Sequence, residues 1–568
     1  MKAHFLAVLA AMVCGLAARE ASADWRVWTL AETRRVLGED TDGNVASVAL
    51  AAARNESESF QILMRSDAAV RAVRVEPGDL VGPGGAVLKA ADARVFRQHP
   101  FQLTVASHRN SQFRPGWYPD ALIPSKHPMT GETLHGARLT AMPFDLPAGQ
   151  THGFWVDLVV PPGALPGQYQ GVYRVTGEGV NAVEIPVTLT VWGFELPRVS
   201  TMATALGSPA HRLRGYYRKR AQQGKEKEPA DWDAVDAQCA RLLSEHRINA
   251  TPPKNLQPVA QPDGSFVIPS EQIDALRAFV DQYHVNALQT VHPRSVVKDP
   301  EAERAKLHAW LRSFDRAAKE LERPVLFYTY LLDEPNDEEA YRYVQKWGRA
   351  IREANSALKV MVVEQPQTQN PNWGDLYGAV DIWCPLFCLF DEQPAKARQA
   401  LGETIWTYTA LCQGKAMSPW WQTDFPLLHY RVPAWIAWRY GIRGILYWGG
   451  LTFWDHVEDP WMNPETYNLR KQGKGPIFNG EGSLVYPGRA VGYDGIASSL
   501  RLKALRDAIE DYEYLAILQR LGRAPEAEKI VLPLARSWFD WEPDPAAYQK
   551  ARAALAELIL QATPARGD

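Results

Sequence analysis

The sequence predicts a multidomain protein: an N-terminal β-sandwich, a (β/α)8 TIM-like barrel, and C-terminal helices. Three observations carry that expectation. A length of 568 residues is more than one compact core needs. Residues 24 to about 198 alternate short apolar runs with Pro- and Gly-rich turns, the rhythm of a sandwich. From about residue 200 apolar runs alternate with helical stretches, as parallel strands and crossover helices do. The expected divisions are a signal peptide over 1–23, the sandwich over 24–198, the barrel over 199–522 and a helical extension over 523–568.

The signal peptide rests on Lys2 as the positive end, Phe5 to Ala18 as the apolar stretch and Ala21-Ser22-Ala23 as the small-residue cleavage site. It predicts a periplasmic or secreted protein beginning at Asp24. Cys14 raises a lipoprotein alternative, but Ala11-Met12-Val13 before it lacks the Leu and small residues of such a signal. No other stretch is long and apolar enough to span a bilayer, so no integral membrane segment is expected after cleavage.

Sandwich strands are expected at Val45–Leu50, Phe60–Met64, Phe154–Val160 and Ile185–Trp192, with Pro161-Pro-Gly-Ala-Leu-Pro-Gly167 as a turn. Eight barrel strands are expected near Met202–Leu206, Ile248–Thr251, Ala287–Val291, Val325–Leu332, Val360–Val363, Val380–Leu386, Thr404–Thr409 and Gly444–Trp448. Helical sequence separates most of them, including Ala230–His246, Ser270–Tyr283, Glu301–Glu322 and Glu338–Ala354. A long loop, 449 to about 497, follows the eighth strand, and loops of that length are usually functional. The chain closes with helices over Ser499–Leu521 and roughly 528–562.

Composition narrows the function classes. With 46% hydrophobic and 22% charged residues and a net charge of −3, nothing points to nucleic acid or an anionic membrane surface. Of the 20 tryptophans, nine lie between Trp373 and Trp454, and aromatic faces are platforms for the C–H faces of sugars. Each Trp alone reads equally well as core. Cys384 and Cys388 have a Cys-x3-Cys spacing without matching His or Cys partners, so neither zinc nor any cofactor is expected. The compartment permits disulfides among Cys239, Cys384, Cys388 and Cys412, but a chain of this size does not require them.

The chemistry gathers at Asp333-Glu334-Pro335, where the apolar run Val325–Leu332 meets two adjacent acids. Strand C-terminal tips are where barrels carry catalytic groups. The same residues also suit a helix start, with Asp333 capping and Pro335 in the first turn. In the common retaining glycosidase, two carboxylates about 5 Å apart flank the scissile bond, one as acid and one as nucleophile. Adjacent acids suit a substrate that supplies its own nucleophile, a 2-acetamido oxygen. Glu334 is then the general acid, requiring a raised pKa, and Asp333 orients the acetamido N–H and stabilises the cationic intermediate.

With those residues in view, Tyr330-Leu-Leu-Asp333-Glu334-Pro335 resembles the catalytic motif of glycoside hydrolase family 123, the β-N-acetylgalactosaminidases. Similar too are Asn479-Gly-Glu-Gly-Ser-Leu-Val-Tyr-Pro-Gly488, Ser499–Asp507 and Glu510–Leu515. Ala53-Arg-Asn-Glu-Ser-Glu58 with Gln61, and Leu165–Gly171, resemble that family's sandwich domain. The resemblance implies hydrolysis of terminal β-linked N-acetylgalactosamine with retention, by substrate assistance and without a metal. It also implies a glycan partner ending in N-acetylhexosamine.

Sugar-reading candidates are strand-end residues: His292 (with Arg294), Trp383, Trp406, Tyr408, Trp448, Trp454 and Asp455. Tyr408 is the candidate donor to the acetamido carbonyl. Lys503 with Asp507, and Arg506 with Glu510, have the spacing of helix ion pairs. Asn479–Gly488 is expected either to shape the site or to brace the eighth strand. Two other readings stay open: a glycosidase using Asp455 or Glu364 as a separate nucleophile, and a non-catalytic saccharide-binding protein.

Overall fold

The computed structural model describes residues 25–563 except 42, 135, 412–416, 455, 456 and 474; the expected signal peptide, Cys412 and Asp455 lie outside the described residues. The N-terminal strands are β1 (Trp25–Ala31), β2 (Val48–Arg54), β3 (Glu56–Ser66), β4 (Val70–Glu76), β5 (Arg94–Leu103), β6 (Gly116–Pro124), β7 (Phe144–Leu146), β8 (His152–Val160), β9 (Gly167–Thr176) and β10 (Val183–Glu195). They form two sheets, ordered β1-β3-β8-β5-β6 and β2-β10-β9-β4-β7, the second extended by a short pair at Leu80–Val81 and Val87–Leu88. Alternate residues of the first sheet, Phe60, Ile62, Phe154 and Val156, pack on Tyr173, Ile185 and Leu189 of the second.

The other face of the first sheet is buried as well. Helix α1 (Leu500–Arg520) lies between sandwich and barrel, capped by the Ser499 hydroxyl accepting from the Leu502 N–H. Nearly every one of its side chains is buried, so its charges must be paired. One of the two expected pairs follows the helix spacing and the other does not. Lys503 does not bond Asp507; its Nζ lies 2.5 Å from Asp157 of β8, and Arg506 lies 3.2 Å from the same residue. Arg506 to Glu510 is 3.8 Å. A helix clamped on both sides satisfies its charges partly along its own length and partly on neighbouring elements, as Lys503 does on Asp157.

The second half forms one parallel sheet: β11 (Ala203–Ala205), β12 (Ala287–Gln289), β13 (Leu326–Asp333), β14 (Lys359–Val363), β15 (Ile382–Trp383), β16 (Thr404–Thr409) and β17 (Gly444–Tyr447), ordered β11-β17-β16-β15-β14-β13-β12. Seven strands stand where eight were expected. The missing place is that of Ile248–Thr251, whose backbone makes no ladder. Asn249 spans the opening with its side chain, donating from Nδ2 to Thr204 O (3.1 Å) and Asn286 Oδ1 (2.8 Å) and accepting from Asn286 N–H (3.0 Å). The barrel is thus nearly closed, through an amide rather than a strand. Tyr328, Met361, Cys384, Trp406 and Leu446 fill its interior.

The last expected helix is also divided. Helix α2 (Ala524–Val531) stops before Pro533, a short hairpin pairs Ala535–Ser537 with Asp540–Trp541, and α3 (Pro545–Ala562) starts with its proline in the first turn. Among the described residues no helix is long and apolar enough to cross a membrane.

Candidate active site

The apolar residues of β13 hold the strand in the barrel wall until Asp333, its last residue. A register shift between Tyr330 and Leu332, opposite Met361 and Val362 of β14, re-aims the strand end. Glu334 follows with φ of 41°, a left-handed conformation that a non-glycine residue adopts only where its surroundings hold it. The helix-start reading of Asp333 is not what the structure contains; the cap of the next helix, Glu338–Glu353, is Asp337, which accepts from the Ala340 N–H. Both acids stay exposed at one lip of a cavity of about 970 Å³.

Each acid is held by a tyrosine. Tyr330 donates its hydroxyl to Asp333 Oδ1 at 2.6 Å, and Tyr408 of β16 donates to Glu334 Oε1. Burial first, then contact with these carboxylates, pushes both phenols far above their usual range, so they remain donors. Tyr408 therefore meets the acid. Among the described residues, Asp333 and Glu334 are the only carboxylates lining the cavity; His211, Arg212, Asn249 and Gln289 add other polar groups to its lining. Arg212 stacks its guanidinium 5.3 Å from the centre of the Phe453 ring.

Trp448, at the end of β17, lines the cavity and packs against Phe453 and Tyr467. The remaining candidates lie elsewhere. Trp406 is barrel core, edge-on to Tyr328 at 5.2 Å. Trp383 is buried and donates to Glu403 at 2.7 Å. Trp454 is buried and donates to Val485 O at 3.1 Å. His292 lies 3.2 Å from Leu331 O and accepts the Arg294 N–H on Nδ1, away from the cavity. Glu364 follows β14 and does not line the cavity; it is bonded by the Gln365 N–H and the Tyr341 hydroxyl, and burial pushes it up to about 7. Among the described residues no cluster of His, Cys, Asp or Glu is arranged to hold a metal.

Residues 282–518, from just before β12 into α1, match the model of the glycoside hydrolase 123 catalytic domain. The chain is a glycoside hydrolase with a family 123 catalytic domain. The matched span holds both acids, Tyr408 and Trp448. A family 123 glycoside hydrolase from Clostridium perfringens, described in connection with glycolipid glycan hydrolysis, superposes with a TM-score of 0.63 at 14% identity, covering 94% of this chain and 97% of that one. A family 2 member from Bacteroides cellulosilyticus (TM-score 0.24, 8% identity, 70% and 44% covered) and a Bacteroides ovatus family 5 xyloglucanase (0.23, 8%, 85% and 100%) are far more distant in fold. The comparison with curated proteins gives no match.

Two residues beside the cavity were not singled out from the sequence. Asn249 was hidden inside an expected strand. Glu481, within Asn479-Gly-Glu-Gly482, was visible only as a motif; glycines on both sides of one acid mark a turn built to deliver that side chain.

Proposed function

We propose that this enzyme is a retaining exo-glycosidase that removes terminal β-linked N-acetylgalactosamine by substrate assistance. One observation carries the reading: among the described residues, the two carboxylates lining the cavity are consecutive residues on one lip. Consecutive acids at one lip suit an acid and an orienting base better than an acid and nucleophile on opposite faces of a sugar.

Glu334 gives its proton to the glycosidic oxygen as the bond to the anomeric carbon breaks. The acetamido oxygen closes onto that carbon from the opposite face, with Asp333 accepting the acetamido N–H. Water then opens the oxazolinium ring, returning its proton to Glu334, so two inversions give net retention. Tyr408 holds Glu334 in place, and Trp448 offers its ring to the sugar's apolar face. By analogy with the Clostridium perfringens enzyme, the glycan of a glycolipid is the proposed natural substrate. The leader-like residues 1–23 support a periplasmic or secreted enzyme.

Glu334→Gln tests the reading. We expect turnover to fall by orders of magnitude on glycosides with poor leaving groups, less with nitrophenyl leaving groups, and unfolding to stay unchanged. Full activity in that variant on a poor leaving group removes Glu334 as the acid. Asp333→Asn is expected to be comparably damaging, because the acetamido group loses its orienting charge.

A further inference from the structure

We infer that Glu481 is a positioning residue that fixes the indole of Trp448 as a wall of the sugar subsite; this rests on reading the cavity as the substrate site. Glu481 is 1% exposed, and its carboxylate collects three neutral donors. Oε1 accepts from Trp448 Nε1 at 2.6 Å and from the Tyr447 hydroxyl at 3.0 Å, and Oε2 accepts from Gln422 Nε2. A desolvated carboxylate is costly to bury, and its hydrogen bonds are correspondingly strong. The indole of a half-buried tryptophan is therefore anchored from behind by its polar edge while its surface stays on the cavity.

The backbone presenting Glu481 is itself immobilised. Asn479 donates to Val105 O at 3.1 Å and accepts the Thr423 N–H at 2.8 Å, while the Gly482 N–H donates to the Tyr447 hydroxyl at 2.7 Å. Thr466 donates to the Glu481 carbonyl at 2.7 Å. Gly480 and Gly482 have φ of 71° and 70°, and a Cβ on Gly449 would stand 2.5 Å from the Gly482 Cα. The loop after β17 thus meets the strand end backbone to backbone, and turning the indole of Trp448 breaks its bond to Glu481.

A double-mutant cycle on release of nitrophenol from aryl β-N-acetylgalactosaminide tests the assignment. Glu481→Gln is expected to raise KM about ten-fold with a smaller change in kcat, the loss of one charge-assisted hydrogen bond. Trp448→Phe, which keeps an aromatic face but lacks the indole N–H, is expected to raise KM similarly, and the double variant to match either single one. Effects of the two substitutions that multiply, or an unchanged KM in Trp448→Phe, overturn the assignment. The Trp448→Phe result stands even if Glu481→Gln does not fold. Full activity in Glu334→Gln on a β-N-acetylgalactosaminide with a poor leaving group, run alongside, would instead fail the site itself and the inference with it.

Discussion

The Tyr408 hydroxyl donates to Glu334 Oε1 from across the barrel, so the side chain just after β13 is oriented by β16. The tyrosine ring is buried in the barrel interior and only its oxygen reaches the acid. A donor fixed by the core holds an exposed lip residue whose backbone is in the left-handed region. Position and proton transfer are thus tied to barrel packing.

Tyr408→Phe removes that oxygen while leaving the ring in its packing. We expect kcat to fall roughly 10- to 100-fold, the range for one charge-assisted hydrogen bond, with the melting temperature nearly unchanged. Steady-state kinetics on nitrophenyl glycosides reads this directly. An unaltered kcat would mean that Glu334 does not need Tyr408.

Asn249→Ala should open the barrel where a strand is lacking. It removes three hydrogen bonds and leaves the Asn286 N–H without its side-chain acceptor. The expected loss is about 1–3 kcal/mol in urea unfolding. A change below about 0.5 kcal/mol, the level of an ordinary surface substitution, would show that packing alone closes the wall.

His429 sets a pH limit. Its Nδ1 accepts the Trp420 N–H at 3.0 Å, and burial holds it down at about 4. Unfolded histidine titrates near 6.5, so its folded pKa is the depressed one. The stability tied to the neutral ring is present above about 6.5 and is lost as pH falls toward 4, about 2 kcal/mol of it between pH 7 and 5. Asp507 acts in the opposite direction, because burial raises it to about 7. A variant therefore isolates the histidine: His429→Asn, which retains an acceptor, should lose less stability than the parent over that interval. Equal pH dependence of the urea midpoints would refute it.

The fold class and the acid pair were legible because each rests on local pattern. Recurring apolar runs and a strand that stays apolar until Asp333-Glu334 are each written in short stretches of sequence. The failures share the opposite property. Ile248–Thr251 reads as a strand, yet its closure depends on Asn249 meeting Thr204 and Asn286, which no local period records. Lys503 reads as a partner of Asp507, but α1 is clamped against β8, and Asp157 is nearer than any residue on the helix itself. Trp383, Trp406 and Trp454 look like sugar platforms in a row of tryptophans; burial on three different sides separates them from Trp448.

Release of nitrophenol from paired aryl β-glycosides of N-acetylgalactosamine and galactose tests the central claim most directly. The account predicts cleavage of the acetamido sugar and none of the galactoside, because only the former carries its own nucleophile. Comparable cleavage of the galactoside would contradict substrate assistance and require a nucleophile supplied by the protein itself.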